Sequence, residues 1–272
     1  MSAQGQARAL TAGEVRARKD GESIVCLTAY DAPTARLLDP HCDVLLVGDS
    51  VGMVVHGLPS TVPVTVEMMV LHGQAVMRGA GTALVVVDLP FGSYEGGAEQ
   101  AFGTAARVLA ETSAGAVKIE SGAYAGETVR YLTERGVPVM AHVGLRPQAS
   151  LATGFKAKGR TPEEAGLVLA EAEAADAAGA FAIVVEGVDE ALARRVTEAV
   201  RAPTIGIGAS AACDGQVLVT PDMLGMFERT PKFVREYADL RGVIADAAAR
   251  YADDVRARRF PSGAETYRLK KG

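Results

Sequence analysis

The feature that most constrains this chain is a regular alternation between short apolar runs and longer segments of helical composition. Such alternation is typical of parallel β/α units. Eight runs in 272 residues match the size of a closed barrel whose reactive groups lie at the carboxyl ends of the strands. We therefore predict an α/β fold, a single (β/α)8 TIM barrel with an N-terminal helix and C-terminal helices. The predicted strands are Ile24 to Ala29, Val44 to Val47, Leu84 to Val87, Ala116 to Ile119, Val137 to Ala141, Ala182 to Val185, Thr204 to Ile207 and, more weakly, Val217 to Val219.

The helices are predicted from composition and from their start signals. A capping box at Thr11-Ala12-Gly13-Glu14 opens a short helix before the first strand. No interdomain linker is visible, so residues 1–272 are predicted to form one domain, with 1–10 and 263–272 flexible. The alternative fold is an open doubly wound sheet, which would gather its polar residues near one switch point rather than along the whole chain. The other predicted helices are Val66 to Arg78, Ala98 to Thr112, Gly126 to Glu134, Glu163 to Ala178, Asp189 to Val200, Pro231 to Glu236 and Leu240 to Arg259.

Composition excludes several classes of protein. The net charge is only -5 and the basic residues are scattered, which argues against a nucleic-acid partner. No apolar run approaches the roughly 20 residues needed to cross a bilayer, so no membrane association is expected. Cys26, Cys42 and Cys213 are odd in number and widely spaced, which disfavours a disulfide framework or a structural zinc site. We expect a soluble protein of the reducing cytoplasm.

Ionisable residues follow five of the apolar runs. In a barrel these side chains converge on one mouth, where several carboxylates cannot all stay ionised without a counter-charge. Lys118 shares a strand face with Glu120 and supplies one positive charge. A divalent cation would supply more, and oxygen ligands point to Mg²⁺. Two alternatives stay open, namely helix N-capping by the carboxylates and a purely structural Lys118 ion pair. The residues at the run ends are Asp49 with Ser50, Asp88, Glu120, His142 and Glu186.

Three further features have more than one interpretation. His142 directly follows a strand and is either a substrate contact or a structural histidine. The glycines of Gly206 to Ala211 match a dinucleotide fingerprint only superficially, because they lie late in the chain without an acidic ribose partner. The connections Met53 to Pro63 and Val143 to Arg160 are long enough to be lids. The second is either a lid over an anionic ligand or a solvated loop; its basic residues are Arg146, Lys156, Lys158 and Arg160.

Six motifs together resemble the ketopantoate hydroxymethyltransferase family, from about Thr28 to Pro261. The resemblance implies a (β/α)8 barrel, Mg²⁺, a decameric homo-oligomer, and hydroxymethyl transfer from methylenetetrahydrofolate to 3-methyl-2-oxobutanoate through a stabilised enolate. It implies metal binding by Asp49, Asp88 and Glu120, keto-acid binding by Asp49, Ser50, Asp88 and Lys118, and Glu186 as proton acceptor. The motifs are Val47-Gly48-Asp49-Ser50-Val51-Gly52-Met53, Asp88-Leu89-Pro90-Phe91, Val117-Lys118-Ile119-Glu120, His142-Val143-Gly144-Leu145, Lys156-Ala157-Lys158-Gly159-Arg160 and Ile205-Gly206-Ile207-Gly208-Ala209.

The chain departs from that family at three loop positions. Lys158, Ser210 and Ala211 stand where the family usually has Gln, Gly and Asn. The departures concern folate binding and loop closure rather than the predicted metal and keto-acid residues.

A (β/α)8 barrel of this kind could also be a lyase or mutase, or a scaffold without catalysis. Phosphoenolpyruvate mutases and isocitrate lyases also use Mg²⁺ and α-keto acids, but the Lys-Lys-Cys-Gly-His motif typical of those lyases is absent. A barrel without catalysis, acting as a scaffold, would have no reason to bear the desolvation cost of so many polar groups at one mouth.

Overall fold

The computed structural model describes residues 8–149, 151, 154 and 156–267. Its parallel strands close into a barrel in chain order, with the last strand pairing to the first. The predicted (β/α)8 TIM barrel is therefore confirmed, and the open sheet is excluded. The strands are β1 (Ile24–Thr28), β2 (Val44–Val47), β3 (Leu84–Asp88), β4 (Ala116–Glu120), β5 (Val139–Gly144), β6 (Ala182–Glu186), β7 (Thr204–Ile207) and β8 (Gly215–Leu218).

The chain divides into two compact units, the first ending at Thr220 and the second beginning at Pro221. The barrel belongs to the first unit. The described α-helices are α1 (Ala12–Arg16), α2 (Ala32–Leu38), α3 (Val51–Val54), α4 (Val66–Met77), α5 (Ala98–Thr112), α6 (Ala125–Glu134), α7 (Pro162–Ala177), α8 (Glu190–Ala199), α9 (Thr220–Met223) and α10 (Leu240–Arg256).

Most helix starts follow from their capping residues. Thr11 and Glu14 form the predicted capping box at α1, with both reciprocal hydrogen bonds present. Thr161 caps α7, and Pro162 occupies its first turn. Two predictions were wrong in detail. α2 and α3 were not predicted, and β5 begins two residues later than expected and continues to Gly144, so His142 lies inside this strand rather than after it.

Alternate strand residues divide the core into two clusters. One side of each strand faces the barrel interior, where Val44, Val86, Met140 and Val184 pack together with Val15 of α1. The other side faces the surrounding helices, with Leu45 among the residues that pack there. Because both sides of a barrel strand are buried, β2 reads as four consecutive buried apolar residues.

The second unit contains α10, which has no buried residue. Asp239 caps α10 by accepting a hydrogen bond from Gly242 N. The predicted helix from Pro231 to Glu236 was wrong: a single turn closes there, through Val234 N and Pro231 O, and one turn fixes too many torsions to persist as a helix. The last helix ends at Arg256 rather than Arg259, since Arg258 adopts a left-handed backbone conformation with φ of 53°.

The sequence also led to expectations about membrane-spanning helices, disulfides and the chain ends. None of the described helices has both the length and the apolar character required to span a membrane. All three cysteines are free and buried, as expected without disulfides. The flexible ends predicted at 1–10 and 263–272 lie partly outside the described residues.

Carboxylates stabilise the amino end of the barrel. Asp39 accepts backbone N–H groups from Gly81, Thr82 and Ala83 at 2.9–3.0 Å, just before β3. Burial opposes ionisation of Asp39, but these hydrogen bonds outweigh it and lower its pKa. Asp214 accepts from Thr204 N and Asp20 N, and these bonds with Lys19 lower its pKa against the effect of burial.

We predict that Asp39→Ala lowers the free energy of unfolding by about 3 kcal/mol at neutral pH, because three backbone N–H groups, of which that of Ala83 is buried, lose their acceptor. When folding lowers the pKa of a carboxyl group, the ionised group stabilises the folded protein at pH values above its pKa in the unfolded state, about 4. This stabilisation is lost as the pH falls through the pKa of the folded state. The difference between wild type and variant in urea denaturation should therefore shrink below about pH 3. Glu198→Ala, at an exposed position, is the control and should leave the transition unchanged. An equal difference at both pH values would contradict the assignment.

Candidate active site

Ionisable side chains occupy the carboxyl end of the barrel interior. The strand register pairs Asp88 with Lys118 and Glu120 with His142 across neighbouring strands. Paired residues of parallel strands face the same side, so these groups continue the interior cluster of apolar side chains. Glu186, which pairs with Gly144, faces the same mouth. The structure thus brings the strand-end residues predicted from sequence into one buried layer.

An ion pair lies at the centre of this layer. Lys118 Nζ is 3.1 Å from Asp88 Oδ1, and both side chains are buried. The other oxygen, Asp88 Oδ2, accepts a hydrogen bond from Asp49 N at 3.0 Å. Gly48 leaves room for the neighbouring hydroxyl, because a Cβ there would lie 2.8 Å from Ser50 Oγ. Asp88 therefore orients the backbone that carries Asp49 rather than capping a helix of its own.

The layer holds more negative than positive charge. Burial, and next the charge of Asp88, raise the pKa of Asp49 to about 7. Burial also raises the pKa of Glu120 well above its ordinary value, although Lys118 opposes this. Burial alone would lower the pKa of Lys118, but Asp88 and Asp49 outweigh it and raise the pKa overall. One lysine does not neutralise this group of carboxylates, so the layer has affinity for further positive charge.

His142 lies between two acids. Its Nε2 lies 3.2 Å from Glu186 Oε2 and its Nδ1 lies 3.9 Å from Glu120 Oε1, but neither ring nitrogen makes a hydrogen bond with the described residues. Burial, followed by the charge of Lys118, lowers the pKa of His142. The ring is therefore neutral near pH 7 and adds no charge beside Glu186.

Ser50 lies at the start of α3, beside the ion pair. Tyr30 OH is 2.8 Å from Ser50 Oγ, and Tyr30 is buried. Sequence reasoning missed Tyr30, because an aromatic residue shortly after a buried strand is equally typical of the apolar core. The contact fixes the Ser50 hydroxyl at the edge of the acidic layer.

Two more buried polar residues were missed. Tyr94 and Gln148 reach the layer from loops after β3 and β5 and bond to Glu120, Asp49 and one another. A buried glutamine in a loop has no distinctive sequence pattern. However, Gln148 lies in the long connection after β5, and loops that follow the strands of a barrel often carry functional residues.

The predicted Mg²⁺ ligands do not form a finished metal site. Within the ranges described above, no group of three or more His, Cys, Asp or Glu side chains is arranged to hold an ion. Gln148 donates hydrogen bonds to both Asp49 and Glu120. The chemistry of the donors still fits a hard divalent ion, because all three are carboxylates. Burial raises the pKa of Asp49 and of Glu120, so a further positive charge beside them would favour their ionised forms.

Two of the basic loop residues have contacts outside the buried layer. Arg146 Nη1 lies 3.8 Å from Glu171 Oε1 of α7, and the backbone of Lys158 pairs with Val188 beyond β6. The predicted lid from Val143 to Arg160 lies partly outside the described residues. Ser210, one of the unusual positions, donates a hydrogen bond to Glu190 at 2.7 Å.

Comparisons with known sequences agree along nearly the whole chain. A family model described as ketopantoate hydroxymethyltransferase matches residues 9–263. The chain is 66% identical over 272 residues to the 3-methyl-2-oxobutanoate hydroxymethyltransferase of Hyphomonas neptunium, covering 100% of this chain and 99% of that protein. It is 65% identical to the protein of the same name from Phenylobacterium zucineum, covering 97% of each.

Solved structures share the fold at low sequence identity. A 2,3-dimethylmalate lyase of the PEP mutase/isocitrate lyase superfamily matches with a TM-score of 0.59 and 18% identity, covering 95% of this chain and 92% of that one. A phosphonopyruvate hydrolase in complex with oxalate and Mg²⁺ matches with a TM-score of 0.58 and 14% identity, covering 96% and 93%. At such identities the likeness concerns the barrel alone.

We predict that the buried carboxyl of Asp49 makes the protein less stable as the pH rises. When folding raises the pKa of a carboxyl group, its protonated form stabilises the folded protein fully at pH values below its pKa in the unfolded state, about 4. This contribution is lost as the pH rises through the pKa of the folded state. Asp49→Asn should therefore gain thermal stability relative to wild type between pH 4.5 and 7.5, by roughly 5 °C, in buffer without divalent cations. Asp246→Asn, an exposed change in α10, should show no such trend. A constant difference between wild type and Asp49→Asn across this range would refute the shift.

Proposed function

Because this chain belongs to the ketopantoate hydroxymethyltransferase family, we propose that it transfers a hydroxymethyl group from methylenetetrahydrofolate to 3-methyl-2-oxobutanoate. The observation that carries the proposal is the buried layer in which the Lys118–Asp88 ion pair lies beside Asp49, Glu120 and the His142–Glu186 contact. The layer contains a lysine that can bind the substrate carboxylate, carboxylates that can bind a metal ion, and a glutamate that can accept a proton.

Mg²⁺ is the proposed cofactor. Asp49, Asp88 and Glu120 would hold it, since they are oxygen donors in a layer short of positive charge. The ion would withdraw electrons from the keto group of the substrate and make the neighbouring C–H bond more acidic.

The remaining residues have distinct proposed roles. Lys118 and Ser50 would bind the substrate carboxylate, while Asp49 and Asp88 contact the keto acid from the metal side. Glu186 would accept the C3 proton, with the neutral ring of His142 3.2 Å from its carboxylate. Loss of this proton leaves C3 able to form a bond to the methylene carbon of the folate, whose two carbon–nitrogen bonds are broken in the course of the reaction. Water supplies the hydroxyl oxygen of the product, and tetrahydrofolate leaves with both nitrogens protonated.

A Mg²⁺-dependent lyase or mutase is the alternative that the fold alone would allow. The relatives that share 57–66% of their residues with this chain carry the hydroxymethyltransferase name, whereas the lyase-like structures share only 14–20%. We therefore retain the transferase. Cytoplasmic location and a decameric assembly stay predictions from the sequence.

The proposal can be tested by proton exchange without folate. Protein, Mg²⁺ and 3-methyl-2-oxobutanoate are mixed in D₂O, and the C3 proton is followed by ¹H NMR. The transferase should exchange this proton and, once methylenetetrahydrofolate is added, form the hydroxymethyl product. A scaffold protein would give neither signal. Carbon–carbon cleavage of 2,3-dimethylmalate by the wild-type protein would favour the lyase.

Glu186→Gln should slow this exchange by at least about 100-fold, because the amide cannot accept the proton. Binding of Mg²⁺ and of the keto acid, measured by calorimetry, should be retained. Glu198→Gln is a matched control on the outer surface and should exchange at the wild-type rate. Wild-type exchange in Glu186→Gln would remove Glu186 from the proton-accepting role.

Asp88→Ala should abolish exchange for a different reason. The change removes a carboxylate that is a proposed metal ligand, that pairs with Lys118, and that accepts a hydrogen bond from Asp49 N. Calorimetry should therefore show loss of Mg²⁺ binding, which Glu186→Gln retains. Exchange by Asp88→Ala in the presence of a chelator would contradict a role for the metal.

A further inference from the structure

We propose that Gln148 and Tyr94 are positioning residues that fix Asp49 and Glu120 relative to one another and thereby support the binding of a divalent cation in this layer. The proposal rests on the function proposed above and adds two residues that neither the sequence motifs nor the strand ends indicate.

Gln148 bonds to both carboxylates from the one-turn 3-10 helix Pro147–Ala149, which follows β5. Its backbone N donates to Glu120 Oε1 and Oε2, each at 3.2 Å. Its side-chain Nε2 donates to Asp49 Oδ2 at 2.8 Å and to Leu89 O at 3.0 Å. One residue therefore sets the distance between two acids that come from different strands.

Tyr94 fixes the orientation of the Gln148 amide. Tyr94 OH accepts a hydrogen bond from Glu120 N at 3.2 Å and donates its own hydrogen to Gln148 Oε1 at 2.5 Å. Asp49 Oδ2 and Leu89 O are acceptors, so the amide can only present its NH₂ group to them. The hydrogen-bond chain thus runs in one direction, from Glu120 N through Tyr94 and Gln148 to Asp49.

Both residues are almost completely buried, with 4% of Gln148 and 1% of Tyr94 exposed. A buried amide needs every hydrogen bond to offset its desolvation, and here the acceptor and both partners of the NH₂ group are present. Residues that bond to metal-binding carboxylates typically change metal affinity 10- to 100-fold when they are removed. Gln148 and Tyr94 have the contacts expected of such residues.

The test is binding of Mn²⁺, used as a paramagnetic probe for the divalent site, with no keto acid or folate present. Electron paramagnetic resonance counts free Mn²⁺ in titrations of wild type, Gln148→Met, Tyr94→Phe and the double variant. Methionine keeps the length and volume of the side chain but makes none of its amide hydrogen bonds. We expect each single variant to bind Mn²⁺ roughly 10- to 100-fold more weakly. The double variant should be little weaker than Gln148→Met, because both changes break the same chain of hydrogen bonds.

The controls separate positioning from general stability. Gln74→Met removes a glutamine hydrogen bond to Glu111 O between outer helices, and Tyr131→Phe removes a hydroxyl from α6; both should bind Mn²⁺ as wild type does. Tyr94→Phe loses a single oxygen, so it keeps the test valid if Gln148→Met does not fold. Wild-type Mn²⁺ affinity in folded Tyr94→Phe, or fully additive effects, would overturn the positioning pair while leaving the proposed function intact. Absence of Mn²⁺ binding by wild type would overturn both.

Discussion

The structure depends on burying a group of carboxylates at one end of a closed barrel with a single lysine among them. Lys118 lies within the interior layer of β4, where an apolar residue would otherwise continue the core, and Asp88 pairs with it at 3.1 Å. This pair makes it possible to keep charge in a place from which water is largely excluded. Burial, together with the charge of neighbouring carboxylates, raises the pKa of Asp49 and Glu120 and makes the layer a place that favours positive charge.

The barrel supplies the precision that this layer requires. Parallel register sets Asp88 beside Lys118 and Glu120 beside His142, so backbone hydrogen bonds fix the relative heights of the side chains. Residues on strands are held more precisely than residues on loops. The Lys118–Asp88 ion pair and the His142–Glu186 contact are both formed by strand residues. The loops then add polar groups from outside, with Tyr94 and Gln148 reaching the same acids.

Much of the fold and part of the site could be predicted from the sequence, for physical reasons that differ between residues. Strand β2 is buried on both sides and therefore reads as an uninterrupted apolar run, and alternation along β4 places Lys118 with Glu120. Hydrogen bonds between distant loops leave no periodic trace, so Tyr30, Tyr94 and Gln148 escaped prediction. The turn after Pro231 was overpredicted because helical composition does not reveal whether a neighbouring surface stabilises a short helix.

The two ends of the barrel respond to protons in opposite ways. Hydrogen-bonded Asp39 and Asp214 at the amino end keep their charge to lower pH than free carboxyls, whereas Asp49 and Glu120 at the other end take up protons earlier. Mild acidification therefore adds protons to Asp49 and Glu120 while Asp39 and Asp214 stay ionised. Protonation at the carboxyl end of the barrel thus leaves in place the ionised carboxylates that stabilise its amino end.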